Sequence, residues 1–260
     1  MSELVLRDVA DGVLRLTLND APTRNSLSEA MIDELLAILS ETNARVIVIA
    51  SQGPAFSSGH NLKEITAHRG DADEGTVFFK HLFEKCAALM QAIMKHPCPV
   101  IAEVDGLASA AGCQLVASCD LAIATDRSTF CTPGVNIGLF CSTPMVAVSR
   151  VVNRKHAMEL LLTGDVFSAE EAVRMGLINH IVGHNELRAA TDALAAKIAS
   201  KSTAAIKIGK QAFDAQLDMP VADAYVFMAQ IMADNLLIND AAEGIGAFIQ
   251  KRHPKWDQDT

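Results

Sequence analysis

A run of small residues that surrounds one amide is the first place where this sequence could do chemistry. Residues 108–120 read ASAAGCQLVASCD, with Gln114 as the amide within an otherwise apolar stretch. A helix that begins there would present unpaired backbone N–H groups to a ligand, and such groups stabilise negative charge. The same composition suits close packing of a helix on a sheet. The residue types leave both interpretations open, an anion-stabilising site and tight packing.

The overall composition argues against a general affinity for polyanions. Half of the 260 residues are apolar, 20% are charged, and the formal net charge is −9. We therefore expect neither nucleic acid nor an acidic membrane as a partner. An anionic ligand would have to be met by local basic residues. The length permits one large domain or two small ones.

The cysteines and the first residues bear on compartment and metal binding. Six cysteines occur without C-x-x-C spacing and without a histidine at a zinc-like interval, so we expect no metal site and buried thiols in a reducing compartment. No apolar run approaches about 18 residues, and MSELVLRDVADG lacks the basic character of a targeting segment. We expect a soluble protein of the bacterial cytoplasm, with the mitochondrial matrix, after removal of a transit peptide, as the alternative.

Short apolar runs in the first half predict strands, and helical spacing separates them. The predicted strands are 13–18, 46–51, 99–106 and 121–126. The first alternates apolar and polar residues, while the others are nearly continuous, as in strands covered on both faces. Residues 28–39, after a plausible cap at Ser28, and 77–95 have apolar residues at helical spacing. Alternating strands and helices imply parallel pairing through right-handed crossovers.

Beyond about residue 140 the sequence predicts mostly helices. Residues 180–182 are expected to form a short strand. Ser168 and Glu171 have the spacing of a capping box, and Gly176 is expected to end that helix. Further helices are predicted over 187–216, 220–238 and 240–251.

The C-terminal helices carry more hydrophobic residues than one wet surface accommodates, so we expect them to pack between subunits or domains. No internal repeat or low-complexity linker divides the chain. The predicted organisation is an α/β body over 1–195 and a helical C-terminal oligomerisation region over 196–260.

Two stretches go beyond a generic α/β pattern, GPAFSSGHNLKEI (53–65) and the segment 99–140. They resemble the motifs of the enoyl-CoA hydratase/isomerase family, the crotonase superfamily. The resemblance continues through 161–182 and 243–256, so it covers nearly the whole chain in the family's order. It implies an α/β, ClpP/crotonase-like spiral of β-β-α turns with a C-terminal trimerisation region, and a homotrimer or a dimer of trimers.

The resemblance also implies a coenzyme A thioester as substrate, with no separate cofactor, in fatty-acid or acyl-CoA metabolism. By family position, the backbone N–H groups of His60 and Ala111 would form an oxyanion hole for the thioester carbonyl. An enolate oxygen needs donors fixed where charge develops, and a helix N-terminus adds a favourable dipole. Only a backbone atom is required, so alanine can serve at position 111 if its φ is negative.

Coenzyme A carries phosphates, and the resemblance places basic residues near them. Arg24 and Lys63 would lie near the nucleotide, while Phe248 and Lys251 would come from a neighbouring subunit's C-terminal helix; each alone could equally be a solvated surface residue. Asn61 stands where the family usually has Asp. The expected ligand-binding set is Arg24, Ser58, His60, Asn61, Leu62, Lys63, Phe248 and Lys251.

The acids that the family's hydratases use are missing. Hydration of an enoyl thioester needs a base for water and an acid for Cα, which those enzymes supply with two glutamates. The corresponding positions hold Gln114 and Gly134, and a third position used for a carboxylate elsewhere in the family holds Ser142. An amide orients water but cannot accept its proton.

Four other residues could supply polar chemistry, and each has an ordinary structural alternative. The His60 ring titrates near neutrality but could point to solvent. Glu103 could have a raised pKa, or it could be the partner of an arginine or a residue at the end of the sheet. Cys141 and Ser142 could face the acyl chain as nucleophiles or simply pack, and no nucleophile elbow surrounds them.

Three functions remain open from the sequence. The first is an enzyme that stabilises a thioester enolate, provisionally a hydratase/isomerase-type lyase with Gln114 orienting water or substrate. The second is a non-catalytic acyl-CoA-binding protein that has lost hydratase activity. The third is a thioesterase that acts through Ser142 or Cys141.

Overall fold

Residues 3–257, which the computed structural model describes, contain ten strands in two sheets. The strands are β1 (Val5–Ala10), β2 (Val13–Leu18), β3 (Val46–Ser51), β4 (Ala55–Ser57), β5 (Val100–Val104), β6 (Leu107–Ser109), β7 (Leu121–Thr125), β8 (Thr129–Cys131), β9 (Phe167–Ser168) and β10 (His180–Val182). The larger sheet has the order β1-β2-β3-β5-β7-β10 and the smaller one β4-β6-β8-β9. β1 pairs antiparallel with β2, and the remaining pairs of the larger sheet are parallel. The predicted α/β class is confirmed.

Eleven α-helices lie in the same described range. They are α1 (Glu29–Glu41), α2 (Leu62–Ala67), α3 (Thr76–Lys95), α4 (Ala111–Ser118), α5 (Ser142–Val151), α6 (Arg154–Thr163), α7 (Ala169–Met175), α8 (Leu187–Ala199), α9 (Thr203–Leu217), α10 (Val221–Leu236) and α11 (Asn239–Ile249). Short 3-10 turns join several of them, including one over Pro133–Ile137.

Local capping signals place several helix ends where the sequence predicted them. The Ser28 side chain accepts a hydrogen bond from the Met31 N–H at 3.3 Å, which starts α1. Ser168 and Glu171 form the predicted capping box, and Gly176 ends α7 in the left-handed conformation. These three predictions are confirmed.

The prediction of one helix over 187–216 is wrong. The chain leaves the helix after Ala199, and Ser202 caps a second helix by accepting from the Ala205 N–H at 3.1 Å. Serine caps a helix because its hydroxyl satisfies a backbone N–H that has no intrahelical partner. The break therefore divides the segment into α8 and α9.

The two faces of the larger sheet bury different cores. Successive residues of a strand point to opposite faces, so β5 turns Val100, Ala102 and Val104 toward the main core with α1, α3 and α4. Ile101 lies on the other face, in a smaller apolar cluster with α8. Glu103, two residues after Ile101, shares that second face.

The C-terminal helices continue from α8 and leave many apolar side chains exposed. Lys210 on α9 ties them to the body, because its Nζ donates to Asp120 Oδ2 at 2.6 Å and to the Cys98 carbonyl at 3.0 Å. The exposed large apolar residues of α9–α11 include Phe213, Leu217, Tyr225, Val226, Met232, Leu237, Phe248 and Ile249. This is consistent with the expectation of packing between subunits, which stays a prediction.

The boundary predicted at residue 195 falls inside α8, and the division into two regions stays a prediction. Residues 258–260 of the predicted C-terminal region lie outside the described residues, as do residues 1–2 at the start of the chain. Over residues 3–257 no single helix is long and apolar enough to cross a membrane; α10 and α11 reach that length and composition only together, across a 74° bend.

Candidate active site

The loop after β4 lies directly against the start of α4. Gly59 has φ +84°, and a Cβ there would come within 2.9 Å of the Ser109 carbonyl oxygen and 3.1 Å of the Ala111 nitrogen. A Cβ at Gly112 would overlap the carbonyl oxygen of Ser57. Glycine is needed at both positions because no side chain fits between the two segments. The small residues thus pack closely, and that packing brings the backbone of His60 beside that of Ala111.

The backbone N–H groups of His60 and Ala111, hereafter the donor pair, have no hydrogen-bond acceptor among residues 3–257. Ala111 is the first residue of α4, so its N–H lies beyond the reach of any intrahelical carbonyl. Its φ is negative, as the sequence argument required. The helix dipole adds positive potential at this end of α4. The two donors can therefore stabilise negative charge on a ligand oxygen.

Ala110 holds the chain in a strained conformation immediately before α4. Its φ of 49° and ψ of −113° are unusual for a residue with a Cβ. Its own N–H donates to the Cys131 carbonyl at 2.9 Å, which fixes the peptide. Strain of this kind costs about 1–3 kcal/mol and is found where the surrounding structure enforces it, often at functional sites.

The His60 ring is turned into the protein, so the alternative that it points to solvent is wrong. Its Nδ1 lies 3.0 Å from the Leu27 carbonyl oxygen, and its edge meets the ring of Phe83 on α3 at a centroid distance of 5.2 Å. Nε2 is buried and has no hydrogen-bond partner among the described residues. Burial lowers the pKa of His60, and the bond to Leu27 opposes this only in part.

Gln114 is buried one turn into α4, on the same face as Ala111. It is 3% exposed, and its Oε1 lies 4.0 Å from the Sγ of Cys86 on α3. Burial raises the pKa of Cys86 to about 12, so this thiol stays protonated. Gln114 therefore presents a neutral amide beside a neutral thiol and provides no acid–base group.

Gly134 lies buried in the 3-10 turn over Pro133–Ile137, and the space that a side chain would need there is filled. A Cβ would lie 3.0 Å from Cys141 Sγ and 3.0 Å from the Leu139 carbonyl oxygen. The segment before α5 therefore leaves less room than usual for a Cβ at position 134. The second predicted acid position lacks a carboxyl group and is tightly packed at its Cα.

Neither nucleophile candidate is activated. Cys141 is 8% exposed, and burial raises the pKa of its thiol. Ser142 is exposed at the start of α5, and its Oγ donates only to the Phe140 carbonyl at 3.4 Å. Among the described residues neither side chain has a histidine or carboxylate as a hydrogen-bond partner. The arrangement does not favour a covalent mechanism, which needs an adjacent base.

Glu103 is the partner of an arginine, one of the alternatives that the sequence left open. Its Oε1 lies 2.7 Å from the NH1 of Arg15, whose NH2 pairs with Asp192 on α8 at 2.6 Å. Arg188 adds contacts to Asp8 and Asp192 on the same side. This cluster pairs both arginines with carboxylates on the sheet face opposite α4. The structure therefore does not bring Glu103 to the donor pair.

Four of the residues expected to bind coenzyme A are brought together around the loop after β4. The Ser58 N–H donates to the Arg24 carbonyl at 2.9 Å. Asn61 caps α2, because its Oδ1 accepts from the N–H groups of Lys63 at 3.1 Å and Glu64 at 3.3 Å. Asparagine and aspartate cap helices equally well, so this departure from the family pattern leaves the loop intact.

The charged heads of Arg24 and Lys63 are exposed, and neither forms an ion pair within residues 3–257. Leu62 is 51% exposed at the start of α2. Phe248, near the end of α11, is 85% exposed, and Lys251 follows it with a positive φ of 53°. The assignment of these last two residues to a neighbouring subunit's site stays a prediction, as does the ligand-binding role of the other residues.

Sequence reasoning missed the residues that hold the His60 ring. Leu27 is 33 positions away along the chain and supplies only a backbone carbonyl, and Phe83 appeared as one apolar residue of a helix. No short-range pattern signals such contacts. Within residues 3–257 no group of three or more His, Cys, Asp or Glu side chains could hold a metal ion.

Comparisons with known proteins identify the family of the chain. A sequence model described as enoyl-CoA hydratase/isomerase matches residues 8–259. The chain is 49% identical over 250 residues to "Enoyl-CoA hydratase domain-containing protein 3, mitochondrial" of Mus musculus, a match that covers 95% of this chain and 82% of that protein.

Solved structures are similar over almost the whole chain. The crystal structure of human enoyl coenzyme A hydratase domain-containing protein 3 superposes with a TM-score of 0.92 at 45% identity, covering 98% of this chain and 100% of that one. An enoyl-CoA hydratase of Mycobacterium smegmatis gives a TM-score of 0.92 at 42% identity, covering 98% and 99%. The crotonase-like fold class predicted from the motifs is confirmed.

Proposed function

Since this chain belongs to the enoyl-CoA hydratase/isomerase family, we propose that it binds an acyl-CoA thioester and stabilises the thioester enolate with the donor pair. The observation that carries the proposal is the pair of unsatisfied N–H groups of His60 and Ala111, held side by side by the packing of Gly59 on α4. Donors fixed in advance stabilise a developing oxyanion without reorganisation, and removal of one such donor typically costs about 10²–10³-fold in rate.

The chemistry proposed is that of a hydratase/isomerase-type lyase of fatty-acid or acyl-CoA metabolism, without a separate cofactor. Both positions of the usual glutamates lack a carboxyl group, so proton transfer must use another residue. The same substitutions favour a second candidate, an acyl-CoA-binding protein without catalysis. Thioester hydrolysis ranks last, because burial keeps the Cys141 thiol protonated and Ser142 has no neighbouring base.

The coenzyme would lie across the loop after β4, with Arg24 and Lys63 toward its phosphates. Both side chains are exposed; Arg24 is bonded through its carbonyl to the Ser58 N–H, and Lys63 lies in the first turn of α2, three residues after His60. Phosphate oxygens gain most from arginine and lysine that have no competing carboxylate. We extend the proposal to Phe248 and Lys251 of a neighbouring subunit.

The assembly we propose is a homotrimer or a dimer of trimers. On α10, Tyr225 is 76% exposed, and Leu237, the residue after that helix, is 83% exposed. Phe248 is similarly exposed on α11. Apolar area of this size on neighbouring helices is typical of a surface that another protein covers. For the compartment, the mitochondrial names of relatives such as the mouse protein support the matrix alternative, while the bacterial cytoplasm stays a prediction.

The test removes one donor without changing a side-chain function. In Ala111→Pro the N–H at position 111 disappears, but the proline follows Ala110 at ψ −113° and its ring lies beside Gly59, so urea unfolding of this variant is measured alongside. Arg154→Pro is the control for a proline at the start of a helix, since Arg154 is the exposed first residue of α6 and follows Asn153 at ψ 141°. Calorimetry with octanoyl-CoA measures binding, and the loss of conjugated thioester absorbance of crotonyl-CoA measures hydration.

We expect the wild type to bind octanoyl-CoA and to exchange the Cα protons of this saturated thioester with deuterium in D₂O, which reports enolate formation by NMR. Exchange should fall about 10²–10³-fold in Ala111→Pro and stay unchanged in Arg154→Pro. Binding without exchange or hydration would identify the non-catalytic alternative. No binding by the wild type refutes the proposal, and equal exchange by both proline variants refutes the role of the donor pair.

A further inference from the structure

The His60 ring has one nitrogen that the fold satisfies and one that it does not. Nδ1 is bonded to the Leu27 carbonyl at 3.0 Å, while Nε2 is buried without a partner among residues 3–257. Buried polar atoms are normally paired, and an exception at a candidate site points to a bound water, a ligand or a reaction. The unpaired atom belongs to the residue whose own N–H is half of the donor pair.

The contact with Leu27 fixes which nitrogen carries the proton. A carbonyl oxygen only accepts, so Nδ1 must donate, and in the neutral ring Nε2 is left with a lone pair. The Leu27 N–H in turn donates to the Gly59 carbonyl at 2.8 Å. Leu27 is therefore hydrogen-bonded to both residues of the Gly59–His60 peptide. The ring is therefore held in one orientation, with Nε2 as an acceptor.

The His60 ring and the Gln114 amide contact the same helix, α3. Phe83, which the His60 ring touches, and Cys86, which Gln114 touches, are three positions apart on α3 and so lie on one face. Ala111 and Gln114 are likewise three positions apart on α4. The imidazole and the amide therefore contact one face of α3, and the amide lies one turn from the Ala111 end of α4.

We propose that Nε2 of His60 is the general base of the acyl-CoA chemistry, a catalytic residue that takes over the proton transfers of the missing glutamates, with Gln114 orienting the water. The inference rests on the function proposed above. Its support is the orphaned acceptor, its fixed tautomer and its contact with the face of α3 that Gln114 also contacts. Burial lowers the pKa of His60, so the ring stays neutral and able to accept a proton at neutral pH.

The proton balance closes with a single base. Nε2 takes a proton from water as the water oxygen bonds to Cβ of a trans-2-enoyl thioester, and the C=C electron pair moves onto the carbonyl oxygen held by the donor pair. The imidazolium then returns a proton to Cα as the enolate collapses. Water is added overall and His60 ends neutral. With a saturated thioester, Nε2 removes a Cα proton directly and the enolate takes a deuteron back in D₂O.

Two substitutions separate the base from the bond to Leu27. In His60→Asn the amide nitrogen stands in the place of Nδ1 and can still donate to the Leu27 carbonyl, but the basic nitrogen is gone. In His60→Ala both functions are lost, and added imidazole can restore a base. Both variants keep the backbone N–H at position 60. Octanoyl-CoA is the probe for binding and Cα exchange, and crotonyl-CoA is the probe for hydration.

We expect His60→Asn to bind octanoyl-CoA within about threefold of the wild type while exchange and hydration fall at least about 10²-fold. Imidazole should restore part of the exchange in His60→Ala. Exchange by His60→Asn at the wild-type rate overturns the base and leaves the proposed function standing. Loss of binding together with exchange also overturns it, because the ring would then have a structural role. If the wild type binds octanoyl-CoA but does not exchange its Cα protons, both the role of His60 as base and the formation of the enolate are overturned. If the wild type does not bind octanoyl-CoA, the proposed function itself is refuted.

Discussion

A carboxylate at position 114 should raise the hydratase activity of this chain, because it can exchange protons and the Gln114 amide cannot. Gln114→Glu conserves shape, and the side chain stays 3% exposed beside Cys86 on α3. Burial raises the pKa of such a carboxyl group toward the range where it both accepts and gives protons near neutrality. One recovered acid–base group is worth about 10²–10⁴-fold in other enzymes. Allowing for imperfect alignment, we expect at least about a tenfold rise in crotonyl-CoA hydration.

The second carboxylate should not be recovered by Gly134→Glu. Its Cβ would lie 3.0 Å from Cys141 Sγ, 3.0 Å from the Leu139 carbonyl oxygen and 3.3 Å from the Cys141 nitrogen. The backbone atoms cannot turn aside as a flexible side chain would, so the segment before α5 must move. Overpacking of this kind costs about 1–3 kcal/mol. Gly134→Glu should therefore lower the free energy of unfolding and should add nothing to Gln114→Glu.

The assay follows loss of the conjugated thioester absorbance of crotonyl-CoA, with urea unfolding of each variant alongside. Gln114→Met, which is equally large but cannot exchange protons, is the control for position 114. Cys141→Ala in the Gly134→Glu background removes one of the three close contacts and should restore part of the stability. No gain from Gln114→Glu despite intact octanoyl-CoA binding would refute the acid–base reasoning. Wild-type stability in Gly134→Glu would refute the reasoning about space.

Three further predictions test the surroundings of the site. Burial lowers the pKa of His96 in the folded protein, so below about pH 6.5 the unfolded chain binds more protons than the folded one. The free energy of unfolding of the wild type, measured with urea, should therefore fall on acidification. The fall should be weaker in His96→Gln. Glu103→Gln should cost about 3 kcal/mol by leaving Arg15 short of a partner, and any thioester turnover should be unchanged. In thermal unfolding, Ala110→Gly should melt at or above the temperature of the wild type, because about 1–3 kcal/mol of backbone strain is relieved. Gly59→Ala should melt well below the wild type and should lose Cα exchange. An equal fall in stability for the wild type and His96→Gln would contradict the first account, and wild-type stability in Glu103→Gln would contradict the second. The reverse thermal ranking of Ala110→Gly and Gly59→Ala would contradict the third.

Features that depend on neighbours in the sequence could be predicted, and those that depend on distant contacts could not. The cap at Ser28 and the box between Ser168 and Glu171 follow from side chains that reach backbone three residues away. The smaller sheet was missed because β4, β6 and β8 are three residues each, too short for a period to show.

The candidate site divides in the same way. The motif around the loop after β4 indicated His60 and Ala111, because a backbone donor depends on local chain geometry. The orientation of the His60 ring depends on Leu27 and Phe83, and the pairing of Glu103 depends on Arg15. Those contacts join separate elements across the fold, so no pattern within one segment predicts them. From the sequence alone, one would also expect Gly134→Glu to add to the effect of Gln114→Glu. The tight contact that argues against this comes from the segment before α5 and is visible only in the structure.

The small residues of segment 108–120 serve packing and the proposed chemistry through the same contact with the loop after β4. A side chain at Gly59 or Gly112 would push the loop after β4 away from α4, because the nearest atoms are backbone atoms of the opposing segment. The backbones of His60 and Ala111 would then no longer lie side by side at the start of α4. Close packing therefore holds together the two peptide groups that we propose as an anion site. The strained backbone of Ala110, next to that contact, is the conformational cost of holding them there.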